Sequence, residues 1–75
     1  MTLVQAEETI IKKEKMSFEI CLSVITTSAS KLAIAPEISD VADKKRIAIF
    51  KLPDGILTIS CKGDEELIIV STETN

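Results

Sequence analysis

Carboxylates, cysteines and clustered lysines are the side chains of this sequence whose types and spacing could support chemistry. The run Asp64-Glu65-Glu66 could bind a cation, although acidic residues are also typical of solvated turns. The sequence contains no histidine, the usual general acid or base near neutral pH. Gly55 and Gly63 both fall in predicted turns, so no phosphate-binding glycine loop is present. We therefore expect no enzymatic activity, no cofactor and no resident metal ion.

The two cysteines are expected to be reduced. Cys21 and Cys61 both lie among aliphatic residues, where a free cysteine behaves as a small hydrophobic side chain. No signal segment precedes them and no apolar run is long enough to span a membrane. A zinc site would need acidic ligands or a second chain. The sequence thus predicts a cytoplasmic protein with two buried thiols, and a disulfide between them is the alternative.

Basic residues fall in two clusters, Lys12, Lys13 and Lys15, and then Lys44, Lys45 and Arg46. The net charge of -3 argues against a protein that binds a phosphate backbone. The absence of Trp and Tyr removes the usual platform for stacking bases. We interpret both clusters as solvated ends of elements. The alternative is a small nucleic-acid-associated protein of a thermophilic archaeon, virus or plasmid, in which Lys44, Lys45 and Arg46 contact the nucleic acid.

The length of 75 residues indicates one domain, with residues 1–16 as a loosely attached N-terminal helix or arm. Thr2 and Gln5 have the spacing of a capping box, which favours a helix over residues 1–15. An extended arm is the alternative, because Thr9 and the two isoleucines after it are β-branched.

Alternation of apolar and polar residues predicts a strand over residues 17–25. Ser28 or Thr27 is then suited to cap a short helix over residues 29–35, which Pro36 would stop. Residues 37–45 are predicted to form a polar connection.

Three further strands are predicted over residues 46–52, 56–62 and 66–72. Pro53-Asp54-Gly55 suits a turn in which Gly55 adopts positive φ, and Gly63-Asp64 suits a second hairpin turn. A C-terminal helix over residues 64–75 is the alternative to the last strand. The predicted fold class is α+β: a small antiparallel or mixed sheet of about four strands with one or two short helices on one face, in the order (α)-β-α-β-β-β.

The predicted sheet is apolar on both faces, whereas one layer of helices can cover only one of them. A spare apolar surface on a small domain usually marks an interface. We expect a protein-protein interaction module that forms a homodimer or joins a larger subunit, with nucleic acid contacted only indirectly. The candidate interface residues are Ala48, Phe50, Leu57, Ile59, Ile68 and Val70. The alternative is that the N-terminal segment folds over this face.

The order of predicted elements over residues 17–63 resembles the small dimerising subunit of the KEOPS tRNA-modification complex, or its accessory paralogue. The strand over residues 17–24, the helix ending at Pro36-Glu37 and the hairpin over residues 46–63 carry the resemblance. It implies an accessory subunit that mimics or caps the small subunit's dimer surface, while the chemistry, threonylcarbamoylation of tRNA, belongs to another subunit. The family's second helix has only a short, strand-like counterpart after Gly63. The Ile, Lys and Glu content is compatible with a thermophilic source.

Overall fold

The structure, a computed structural model, describes residues 8–74, apart from the side chains of Glu8, Asp40 and Val41. The elements are β1 (Glu8–Lys15), α1 (Phe18–Leu32), β2 (Glu37–Ala42), β3 (Lys45–Leu52), β4 (Gly55–Lys62) and β5 (Leu67–Thr74). The five strands form one sheet in the order β1-β5-β4-β3-β2, and every neighbouring pair is antiparallel. The predicted α+β class is confirmed. The order of elements is corrected to β-α-β-β-β-β, and the sheet has five strands rather than about four.

The predicted strand over residues 17–25 is wrong, because this stretch begins α1. Phe18, Cys21, Leu22 and Ile25 follow the 3.6-residue period of a helix, and all four pack into or against the core. The Ser17 side chain caps the helix by accepting a hydrogen bond from the Ile20 N–H at 3.3 Å. Apolar and polar residues alternate in this stretch by coincidence, because the helix is rich in aliphatic residues.

The end of α1 is set by Ala33 rather than by Pro36. Ala33 adopts a left-handed conformation with φ 55°, and its N–H donates to carbonyls of the last helical turn. Helices commonly end in this way, but the residue is usually glycine, because a Cβ is strained at positive φ.

We expect Ala33→Gly to raise the free energy of unfolding by about 0.5–1 kcal/mol, since it removes the Cβ strain. Urea unfolding followed by circular dichroism measures the change. Ala29→Gly is the matched control, because Ala29 lies within the helix and glycine there should cost about 1 kcal/mol. Equal destabilisation by both variants would contradict the assignment of Ala33 as a strained cap.

The part of the N-terminal segment that the structure describes is a strand, so the predicted helix is wrong for residues 8–15. β1 pairs with β5 along its length, from Glu8 opposite Glu73 to Lys15 opposite Leu67. A bulge between Ile10 and Lys12 shifts the register by one residue. The predicted capping box at Thr2 and Gln5 lies outside the described residues.

The predicted polar connection contains β2, which is an edge strand with a bulge between Ile38 and Asp40. The three C-terminal strands are confirmed, with β5 in place of the alternative C-terminal helix. The second hairpin turn is longer than predicted and spans residues 63–66, with Glu66 at φ 49°.

Gly55 is required for close approach and not for positive φ, so that part of the turn prediction is corrected. Neither glycine has positive φ. A Cβ built on Gly55 would overlap the backbone carbonyl of Glu73 on the neighbouring strand β5. This glycine therefore lets β4 and β5 pair at the end of the sheet.

The core lies between α1 and one face of the sheet. Its buried side chains come from the helix and from β3, β4 and β5: Cys21, Ile25, Ala48, Phe50, Ile59, Cys61 and Ile68. The helix contacts these three central strands. We call the opposite side of the sheet the open face, because no element within residues 8–74 lies over it.

Candidate protein interaction surface

The residues predicted to form the interface lie on the helix-covered face of the sheet. Ala48, Phe50 and Ile68 are fully buried in the core, and Ile59 is buried with them. Leu57 and Val70 are partly buried and pack against the same cluster. The structure therefore places these six residues under α1, and within residues 8–74 it is the other face of the sheet that no element covers.

The open face is formed by aliphatic and hydroxyl side chains. Strand alternation and register place the following aliphatic residues on it: Ile10, Ile47, Ile49, Ile56, Leu67 and Ile69. Thr58, Ser60 and Ser71 lie between them in the centre of the sheet. Ile10 is 57% exposed, and the five other aliphatic side chains are half-buried. The open face thus offers apolar surface on β1, β3, β4 and β5.

One end of the open face is basic. Lys15, Lys62 and Lys45 lie in one row across the sheet, since Lys15 and Lys62 both pair with Leu67, and Lys62 pairs with Lys45. Lys13 lies on the same face, opposite Ile69. Adjacent strands are about 4.8 Å apart, so Lys45 and Lys62 are direct neighbours and Lys15 lies about 10 Å from Lys62. We call Lys13, Lys15, Lys45 and Lys62 the basic end.

Hydrogen bonds between neighbouring segments hold the basic end in place. The Gly63 N–H donates to the Lys44 carbonyl at 2.7 Å, which joins the turns that flank β3 and β4. The Met16 N–H donates to the Glu66 carbonyl at 2.8 Å, and the Lys15 ammonium donates to the Glu65 carbonyl at 3.1 Å. These bonds tie the end of β1 to the turn before β5.

A shallow cleft of about 220 Å³ opens beside the basic end. Its lining is formed by Lys44, Lys45, Lys62, Asp64 and Glu65. The lysines come from the strands and from the turn before β3, and the two acids come from the turn before β5. The cleft therefore has room for a small polar group, and its lining combines three lysines with two acidic residues.

The other end of the open face carries both signs of charge. The Lys51 ammonium lies 2.7 Å from the Glu37 carboxylate across β2 and β3. The hydrogen bond and the attraction to Glu37 raise the pKa of Lys51. Both side chains are well exposed, so this pair adds little to stability but does neutralise the lysine locally. Glu73 on β5 is the other acidic side chain described at this end.

The structure brings together part of the predicted nucleic-acid cluster and separates the rest. Lys45 joins Lys13 and Lys15 on the open face, while Lys44 lies in the adjoining turn. Arg46 points to the helix side, where its Nε is buried without a hydrogen-bond partner among the described residues. Lys12 also lies on the helix side and pairs with Glu14 at 3.4 Å.

Lys62 was missed by the sequence reasoning. Its signal was its position three residues after Ile59, because alternation along β4 puts the two on opposite faces.

The two cysteines form a disulfide, so the prediction of two free thiols is wrong. The Cα atoms of Cys21 and Cys61 are 5.8 Å apart, within the ordinary range for a disulfide. Both residues are buried, one on α1 and one on β4. The sequence reasoning put both in strands, whereas the helix lies across β4 and brings Cys21 over Cys61. The bond links the helix to the centre of the sheet.

No family model, curated protein or solved structure matches this chain. Among the side chains that the structure describes, no three acidic or cysteine residues lie close enough together to hold a metal ion. The helix that the structure describes is not long and apolar enough to cross a membrane.

Proposed function

We propose that this protein is a non-catalytic protein-protein interaction module, a small accessory subunit that docks into a larger complex through the open face of its sheet. The observation that carries the proposal is the aliphatic set on the open face, which α1 does not cover. Apolar surface that is contiguous on a small domain usually marks a binding site. Ile47 and Ile69 supply its centre, and Ile10 extends it to the β1 edge.

The proposal is tested by two isoleucines of equal exposure on opposite sides of the molecule. Ile10 is 57% exposed on the open face, and Ile20 is 58% exposed on the outer side of α1. We expect Ile10→Asp to reduce co-purification of partner proteins from source cells about tenfold, because a carboxylate replaces apolar contact area. Ile20→Asp is the control and should capture the same partners as the wild type. Equal capture by all three proteins would overturn the proposal.

The KEOPS-like assembly is a more specific proposal within this function. Support for it rests on the hairpin over residues 46–63 and the step Pro36-Glu37, because the residues matched to the family's first strand are helical. Co-elution of the purified protein with KEOPS subunits in size exclusion tests it. Failure to co-elute would remove this assembly and leave the interaction module in place.

The disulfide restricts the compartments in which this protein can function, including the predicted cytoplasm. Disulfides persist in oxidising compartments and are rare in the cytosol, with hyperthermophile proteins as the known exception. The bond between Cys21 and Cys61 therefore supports either an oxidising compartment or the cytoplasm of a thermophilic archaeon.

Nucleic-acid association is the second candidate, because Lys13, Lys15 and Lys45 converge on one end of the open face. Binding to single-stranded nucleic acid that weakens steeply with salt would support it. The test is titration of a labelled oligonucleotide at two salt concentrations.

A further inference from the structure

We infer that the open face binds the open face of a second copy of this chain, so that two sheets stack face to face about a two-fold axis. This inference rests on the proposed function and names the partner of the same surface. Charge complementarity carries it. The open face bears residues of both signs, and strand register places the basic end and a pair of acidic residues at opposite ends of the sheet.

Acidic residues occupy the end of the open face that is remote from the basic end. Glu8 on β1 and Glu73 on β5 are directly opposite each other in the last row of that end. Strand register adds Glu37 and Asp40 along the β2 edge of the same face. Glu37 already pairs with Lys51 at 2.7 Å, so this pair is locally neutral. The register positions of Glu8, Glu73 and Asp40 therefore bring three further acidic residues to the open face.

The lysines of the basic end balance these acidic residues. Lys13, Lys15 and Lys62 supply three positive charges on the same face. Lys45 is not needed for the balance, because it already takes part in an interaction within the chain. The chain as a whole has a net charge of -3, so most of its excess negative charge lies elsewhere. A face on which unlike charges balance and are separated is suited to bind a copy of itself.

A two-fold axis that runs across the strands, in the plane between the two sheets, makes the ends complementary. It sets each strand over its own copy in the opposite direction. The row with Lys15 and Lys62 then lies over the row with Glu8 and Glu73 of the second copy, and symmetry repeats this contact at the other end. An axis along the strands would instead stack the two basic ends on each other. The charges therefore select the first arrangement.

The centre of the open face is apolar and suits the packing of one sheet on another. Ile47 and Ile49 on β3 and Ile69 on β5 flank Thr58 and Ser60 on β4. In the proposed arrangement Ile47 lies over Ile49 of the second copy, and Ser60 lies over Thr58. Stacked sheets interdigitate such side chains across about 10 Å. The dimer therefore removes from water the aliphatic surface that α1 leaves uncovered.

The area of the open face allows a dimer of moderate affinity. The face measures about 24 by 26 Å from strand spacing and length, so stacking would bury roughly 1,200 Å². That area is at the lower limit for a specific interface, so we expect the dimer to dissociate at micromolar concentrations. Lys45 would lie over Lys51 of the second copy, but both lysines already interact within their own chains.

A partner of one charge sign fits the open face less well. An acidic protein segment or a nucleic acid would meet unlike charge at the basic end and like charge at Glu8 and Glu73. A basic partner would have the reverse conflict. A second copy offers unlike charge at both ends and an aliphatic centre between them.

The test exchanges the charges of Lys62 and Glu73. Sedimentation equilibrium of the intact, oxidised protein over a concentration series gives the dissociation constant of the dimer. We expect Lys62→Glu alone and Glu73→Lys alone each to weaken dimerisation about tenfold, because each places like charges across the interface. The variant with both changes should return to within about twofold of the wild type, because the facing charges are then unlike again.

Recovery by the double variant can arise only between two copies. Lys62 pairs with Leu67, which is six residues from Glu73 along β5. The two residues are thus about 20 Å apart within one chain. Charges are screened over about 8 Å at physiological salt, so the two cannot compensate each other in the monomer.

Lys31→Glu is the matched control, because it makes the same change of net charge in the last turn of α1. It should change the dissociation constant less than about twofold. Circular dichroism confirms that every variant is folded.

The outcomes separate this inference from the proposed function. A wild-type protein that stays monomeric up to about 1 mM would overturn the inference. A dimer that the single variants leave unchanged, or that the double variant fails to restore, would overturn it as well. If the wild type is monomeric while Ile10→Asp still reduces the capture of other proteins, the proposed function stands and the second copy is the wrong partner.

Discussion

Phe50→Ala is expected to lower the free energy of unfolding by about 4 kcal/mol. Phe50 is 0% exposed and is among the largest fully buried side chains, at the centre of the layer between α1 and β3. Its removal leaves a cavity that the single covering helix cannot fill without moving. A domain of this size is typically stable by roughly 4–11 kcal/mol, so the variant is expected to be close to unfolding at room temperature.

Urea unfolding followed by circular dichroism measures this effect, because the chain has no Trp or Tyr to report by fluorescence. Phe18→Ala is the control with the same change of side chain. Phe18 is half-buried at the start of the helix, so its loss should cost about half as much. A folded Phe50→Ala variant that lost only its partner would contradict the placement of Phe50 in the core and would restore the interface predicted from the sequence.

Reduction of the bond between Cys21 and Cys61 is expected to lower the free energy of unfolding by a similar amount. The cysteines are 40 residues apart in sequence, and a cross-link over such a loop restricts the unfolded chain by about 4 kcal/mol. The bond also holds the one described helix against β4, so loosening of α1 should expose the apolar face that it covers.

The measurement is thermal unfolding with and without dithiothreitol. The variant with both Cys21→Ala and Cys61→Ala is a strict control, since these are the only cysteines of the chain and the reductant should then have no effect. Equal stability of the oxidised and reduced wild type would show that the bond contributes nothing.

The hairpins β3–β4 and β4–β5 could be predicted from the sequence because their signals are local. Ile47 and Ile49 alternate with Ala48 and Phe50, and Pro53 marks the intervening turn. Strand pairing then follows from short connections, which bring sequence neighbours together in space.

The helix could not be separated from a strand by periodicity alone. Phe18 and Leu22 satisfy both the strand period and the helix period, whereas Cys21 and Ile25 satisfy only the helix period. The capping position of Ser17 and the spacing of Cys21 and Ile25 were the signals that a closer reading would have used. That error also left the disulfide as the less favoured alternative, because two cysteines predicted to lie on strands gave no reason for contact.

Two features could not be predicted because they depend on contacts between residues far apart in sequence. They are the strand β1 and the choice of which face of the sheet α1 leaves open. Ile10 and Ile11 favour a strand by propensity, but the partner that stabilises it is β5, near the other end of the chain. Likewise, both faces of β3 are apolar, so only the position of α1 decides which is core. The sequence therefore indicates a two-sided apolar sheet, but the candidate interface residues predicted from it lie on the side that α1 covers.

The position of β1 in the sheet has a consequence for the way the chain is made. Of the five strands, β1 is synthesised first, and its neighbour β5 is synthesised last. Glu8 pairs with Glu73, so at about 5–20 residues per second the first strand waits roughly 3–13 s for its partner. During that interval the strand that contains Ile10 and Ile11 has no β5 to pair with. On the ribosome, the segment that contains them therefore stays open to a chaperone until β5 has emerged.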